Sequence, residues 1–199
     1  MPSDDVDTMN RLDPRQPLVF DTRELGRRPG SMVTQTRTVE APEDLGTDVI
    51  AIAPGQPIEL DLRLESVVEG VLVTGSARAT ATGACVRCLD PLSRELSVHF
   101  QELFAYADRA EHHHEVAPSD DDDDLYELVG DLVDLEPVLR DAVVPALPFQ
   151  PVCREDCPGL CSECGARLAD DPDHHHEVID PRWSALGGLL GDDPQEKRN

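Results

Sequence analysis

Ile58-Glu-Leu-Asp-Leu-Arg-Leu64 alternates apolar and charged residues without a break, which is the period of a strand with one face buried and the other in water. Downstream, Val67 to Thr74 reads as a second strand ending before Gly75, and Ser76 to Thr82 alternates small residues with Thr and Arg as a third. Leu96 to Phe104 alternates again. Short strands separated by Gly and Pro over residues 17–104 predict a small antiparallel β-sheet or open barrel.

The pattern dissolves over residues 107–124, which hold His112, His113, His114 and the run Asp120 to Asp124. Like charges in such a block repel, so a disordered acidic loop is expected, and the glycine and glutamate spacing of a calcium-binding EF-hand is missing. Over residues 125–150 Leu132, Leu135, Val138, Leu139, Ala142 and Val143 recur every three or four positions. That spacing predicts a helix with Pro137 near its start and Pro145 and Pro148 beyond its end. Residues 151–190 carry a cysteine cluster and then Asp180-Pro181, an N-cap and first residue for a short helix bearing Trp183, Leu186, Leu189 and Leu190. Residues 1–16 and 191–199 read as disordered tails. The expected class is α+β: the sheet or open barrel, then a helix, then a cysteine-rich, zinc-binding C-terminal segment.

A length of 199 residues suits one domain with appendages. Aromatic residues make up only 4%, so the core falls to Val, Leu, Ile and Ala. The first residues lack the apolar run of a signal peptide, and no segment approaches the roughly 20 apolar residues needed to span a bilayer. A soluble, cytoplasmic protein is expected. Lys plus Arg number 17 against 41 Asp plus Glu, a formal charge of -24. Phosphate neutralisation needs clustered cations, and beyond Arg27-Arg28 there is no such run. The acidity serves either solubility or a basic protein partner. A zinc-ribbon module acting directly on RNA is the alternative, and it would draw on a local basic face of Arg78, Arg87 and Arg94.

Six cysteines fall into a C-x2-C of Cys85 and Cys88 and a C-x3-C-x3-C-x2-C of Cys153, Cys157, Cys161 and Cys164. In a reducing compartment, closely spaced thiols point to metal rather than to disulfides, and tetrahedral thiolate sites favour zinc. Gly165 directly follows the last cysteine, where the backbone turns toward sulfur; Leu89 takes that place after Cys88, which weakens the upstream signal. Three groupings are open. Cys153, Cys157, Cys161 and Cys164 can form a local four-thiolate site, or Cys85 and Cys88 can join two downstream cysteines. Alternatively Cys161 and Cys164 pair with His174 and His176, leaving Cys85, Cys88, Cys153 and Cys157 for a second ion.

Four segments together resemble the YceD-like family, the large ribosomal RNA subunit accumulation proteins. They are Cys85-Val-Arg-Cys88-Leu89, the stretch Asp134 to Pro148, the stretch Pro151 to Gly165, and Asp180-Pro-Arg-Trp-Ser-Ala-Leu186. Their order and separation fit a family domain over residues 17–190. The resemblance implies a part in synthesis, processing or stability of 23S rRNA with no catalytic residue, and a partner that is a basic large-subunit ribosomal protein or a pre-ribosomal particle. It also implies that Cys85 and Cys88 pair with part of the downstream cluster, and that His174 to His176 stand where many relatives carry a further cysteine pair. From the residues themselves, an enzyme is disfavoured: no Gly-rich phosphate loop and no recognisable nucleophile context occur.

Overall fold

The computed structural model describes residues 12–109 and 126–176. Within them the strands are β1 (Val19–Asp21), β2 (Met32–Glu40), β3 (Ile50–Ala51), β4 (Pro57–Ser66), β5 (Gly70–Ala84), β6 (Pro91–Ala105), β7 (Tyr126–Glu127) and β8 (Leu132–Asp134), and the helix α1 spans Glu136–Val143. In β4 the alternation does what its period requires. Ile58, Leu60, Leu62 and Leu64 are buried in the core, while Glu59 and Asp61 meet Arg78 on the outer face.

The two strands expected on either side of Gly75 are one. β5 runs unbroken for 15 residues and pairs with β6 along its whole length, from Gly70 opposite Ala105 to Ala84 opposite Pro91. Gly75 is therefore a point of close approach and not a turn. A Cβ there would lie 2.5 Å from Phe100 Cζ and 2.7 Å from Leu62 Cδ2, so side chains from both neighbouring strands close over the bare backbone. The reversal before β5 sits instead at residues 67–69, closed by the Val67 N–H to the Gly70 carbonyl at 2.9 Å.

The other edge of β5 is shared, first by β4 and further along by β3. With β2 on β4 and β7 parallel to β6, the order β2-β4-β5-β6-β7 makes an open, mixed sheet rather than a barrel. The fold is mostly β with little helix.

The helical reading of residues 125–150 needs correction at its start. Leu132 belongs to β8, which pairs antiparallel with β1, and α1 begins only at Glu136. Asp134 Oδ1 accepts the Glu136 N–H at 3.0 Å, and Pro137 sits in the first turn, where its missing N–H costs nothing. The apolar spacing ran on through Leu132 because β8 and α1 cover the same inner face of the sheet. There Phe20, Val133, Leu135, Val138, Leu139 and Val143 join the core of β4, β5 and β6. At its edge Ser66 and Tyr106 share a buried 3.1 Å hydrogen bond. Residues 13–16, assigned from sequence to the N-terminal tail, form a turn with the Gln16 N–H on the Asp13 carbonyl. His112 to His114, Asp120 to Asp124, the helix expected after Asp180-Pro181 and the C-terminal tail lie outside the described residues.

Candidate metal centres

The far end of the β5–β6 hairpin is the Cys85–Asp90 reversal. The Cys85 N–H donates to the Asp90 carbonyl at 2.8 Å, and the Leu89 N–H donates back to the Cys85 carbonyl at 2.8 Å. The second C-x2-C repeats this turn bond for bond: Cys161 N–H to Ala166 O at 2.8 Å, Gly165 N–H to Cys161 O at 2.9 Å. In both, the residue after the second cysteine is left-handed, at φ 61° for Leu89 and 72° for Gly165. Glycine takes that conformation freely and leucine does not, so the upstream turn looked weaker in sequence although its geometry is the same.

Cys153 and Cys157 reach the hairpin tip through a set of bonds that sequence reading missed. The Val86 N–H donates to the Pro151 carbonyl at 2.9 Å, and the Leu160 N–H to the Arg87 carbonyl at 3.1 Å. The Arg87 guanidinium donates to the carbonyls of Glu155 and Cys157 at 3.1 and 3.0 Å, and Arg94 donates to that of Val152 at 3.0 Å. Arg167 pairs with Asp90. The one available signal was an arginine lying between two cysteines.

Of the three groupings left open by the sequence, the structure assembles the third. The sulfurs of Cys85, Cys88, Cys153 and Cys157 lie within 4.8 Å of one another, and so do the ligand atoms of Cys161, Cys164, His174 and His176. Cys153 and Cys157 are thus separated from Cys161 and Cys164, against the local four-thiolate arrangement. Cys85 Sγ stands 3.8 Å from Cys157 Sγ, and Cys88 Sγ 3.7 Å from Cys153 Sγ. Bonds of about 2.3 Å to a tetrahedral zinc place thiolate sulfurs about 3.8 Å apart, whereas a disulfide would bring them to about 2.05 Å. Cys85, Cys88 and Cys157 are buried with Leu92 and Val152 in a small cluster apart from the main core. Either group can hold a metal ion.

The electrostatics of the thiols agree with that capacity. Burial opposes ionisation of Cys85, yet the N–H groups of Cys153, Cys88 and Arg87, aided by the Cys88 thiol, bring it down to about 6. Cys88 goes the other way. The Asp90 N–H favours its thiolate, but burial and the thiols of Cys85, Cys157 and Cys153 outweigh that and push it up to about 12. Cys153 is likewise raised, chiefly by Cys157. One thiolate is settled by donors and the next is resisted by its neighbours, so full ionisation of the cluster calls for a cation. In the other group, the N–H groups of Cys164 and Glu163 hold Cys161 at about 6 against burial, with help from His174.

An open β-sheet with two clusters of thiol and imidazole groups defines a small β protein equipped to hold metal. Comparison with known sequences places it more closely. Residues 73–190 match the family described as large ribosomal RNA subunit accumulation protein YceD, and the chain belongs to that family. Uncharacterized proteins of Mycobacterium bovis and Mycobacterium tuberculosis are each 47% identical over 175 residues, covering 88% of this chain and 82% of theirs. One of Mycobacterium leprae is 42% identical over 177 residues, covering 89% and 79%. No solved structure matches. The family is named for accumulation of the large ribosomal RNA and not for a reaction. Among the described residues no helix is long and apolar enough to cross a membrane.

Proposed function

We propose that the chain is a non-enzymatic accessory factor of large-subunit biogenesis in the cytoplasm, needed for synthesis, processing or stability of 23S rRNA. It acts by binding a basic large-subunit ribosomal protein or a pre-ribosomal particle. Zinc held by Cys85, Cys88, Cys153 and Cys157 is structural in this reading, tying the hairpin tip to the segment that follows α1.

The observation that carries the choice of partner is where the cations are used. Arg78 lies between Glu59 and Asp61, Arg87 and Arg94 hold backbone carbonyls of the cysteine segment, and Arg167 pairs with Asp90. The basic face that a direct RNA-binding module would need is committed to internal acceptors, in a chain of net charge -24. Such a surface suits a cationic protein, with exposed charges that steer encounter and are screened within about 10 Å at 0.1 M salt.

Affinity capture from cells at moderate salt should recover a small basic large-subunit protein whose association weakens steeply with added salt, while free rRNA binds far less. Depletion of the protein should lower 23S relative to 16S rRNA. An unchanged ratio, or purified protein that cuts precursor rRNA unaided, would overturn the proposal.

A further inference from the structure

The four-cysteine group is mostly buried, with Cys153 alone exposed, and it brings together distant parts of the chain. The group of Cys161, Cys164, His174 and His176 is built differently. Its ligand atoms converge as tightly: Cys164 Sγ is 3.2 Å from His174 Nε2 and 3.3 Å from His176 Nε2, and the two nitrogens are 2.9 Å apart. Both imidazoles present the same ring nitrogen to the same point. Their rings stand nearly perpendicular, at 82°, which suits two ligands of one tetrahedral ion. His175 between them turns its ring onto the Asp173 carbonyl at 2.9 Å. The middle histidine of the triplet is thereby excluded, and the outer two are brought together by their spacing of two.

What holds this segment is the second observation. Between Cys161 and His176 no residue is buried, and none belongs to either apolar cluster. Among the described residues its ties to the rest of the chain are few and superficial: Leu160 on Arg87, the Arg167–Asp90 pair and the Leu168 N–H on the Gly159 carbonyl. A turn of this kind, with its own backbone hydrogen bonds but without apolar burial, is reinforced by a bound metal. Two thiolates and two neutral imidazoles form a donor set suited to a borderline divalent ion such as zinc and neutralise it fully. The four-thiolate group would instead carry two excess negative charges, and it is the one attended by Arg87.

Accessibility separates the two further. Three of the four cysteines in the first group, Cys85, Cys88 and Cys157, are 8% exposed or less and only Cys153 is exposed, whereas in the second group none is buried: Cys164 and His176 are exposed and Cys161 and His174 partly so. We propose that Cys161, Cys164, His174 and His176 form a second zinc site, distinct from the four-cysteine one and exchangeable while the sheet stays folded. The inference rests on the metal reading of the first site only in that both share one chain.

The test uses the full-length protein, loaded with zinc under reducing conditions, then mixed with a colorimetric chelator. Two equivalents should be released in two phases, one fast and one slow. His174→Ala combined with His176→Ala should abolish the fast equivalent and leave the slow one and the thermal unfolding of the sheet unchanged. His174→Cys with His176→Cys should restore two equivalents. Cobalt substitution provides an independent count, since loss of the mixed site removes one cobalt and its share of the thiolate charge-transfer absorption. One equivalent in both wild type and the double alanine variant would overturn this proposal while sparing the four-cysteine site. Release of two equivalents in a single phase would refute exchangeability, and protein without zinc would refute both sites.

Discussion

Arg87→Ala tests whether the guanidinium inside the first C-x2-C is part of the metal centre's support. Its Nη1 donates to the carbonyls of Glu155 and Cys157 at 3.1 and 3.0 Å, bonds that exist only while the downstream segment is docked on the hairpin tip. Hydrogen bonds from a charged donor contribute about 1.5–3 kcal/mol when sheltered, but Arg87 is exposed and water can replace it at both carbonyls, so the pair contributes about 1–2 kcal/mol. At about 1.4 kcal/mol per decade, the metal affinity of the four-cysteine group should fall roughly five- to thirtyfold, within the range seen for outer-shell partners of metal ligands. Arg87→Lys keeps the charge but not the fork and should fall between the two. Chelator competition measures this in a background of His174→Ala and His176→Ala, so that the four-cysteine group alone is titrated. Zinc affinity unchanged within about twofold would refute the reasoning; unchanged zinc affinity combined with reduced rRNA affinity would transfer Arg87 to an RNA-contacting face.

Three other outcomes follow from the geometry. Tyr106→Phe leaves Ser66 Oγ buried without its 3.1 Å partner and should cost about 1–3 kcal/mol in denaturant unfolding. Leu139→Ala empties a site 1% exposed between α1 and the sheet and should cost about 2–5 kcal/mol with an unchanged m-value. In metal-free protein Cys161, held at about 6 and partly exposed, should be alkylated by iodoacetamide at neutral pH ahead of Cys88 and Cys153, whose thiols are raised, and ahead of Cys85, which is as acidic but fully buried. Bound zinc should suppress that labelling. Because its folded value lies below the ordinary 9.0, the Cys161 thiolate favours the folded turn fully above pH 9 and loses that contribution as pH falls through about 6. Mass spectrometry of the alkylated peptides against pH reads this directly.

What could be read in the sequence divides along physical lines. The strand Ile58 to Leu64 was fully legible because its neighbours on the sheet are ordinary and its inner face is uniformly apolar. β2 was not, since it is a terminal strand of the sheet whose Arg37 lies over the Phe20 ring at 4.7 Å in place of an aliphatic contact. Gly75 carries the same letter as a turn glycine, and only Phe100 and Leu62, distant in sequence, distinguish it. Leu132 fell into the helical spacing because a period records which face is buried and not which backbone presents it. At the metal centres the ligand types are all visible in the sequence, and the grouping that the fold assembles is one of three that the spacing allows. The choice among them was settled by the docking bonds of Arg87, Arg94 and Pro151, which join residues too far apart for any local pattern to record.

The span of the four-cysteine group sets an order of events during synthesis. Its halves are separated by 65 residues between Cys88 and Cys153 and 72 between Cys85 and Cys157, while the last strand of either sheet is complete at Asp134. At about 5–20 residues per second, a growing chain displays Cys85 and Cys88 for roughly 3–13 s before Cys153 is made. During that interval the nascent hairpin carries two thiols and half a coordination shell. Closure of the centre therefore reports that translation has passed residue 157, and a polypeptide released between residues 134 and 153 keeps every described strand while its hairpin tip binds metal incompletely and offers its sulfurs to oxidation.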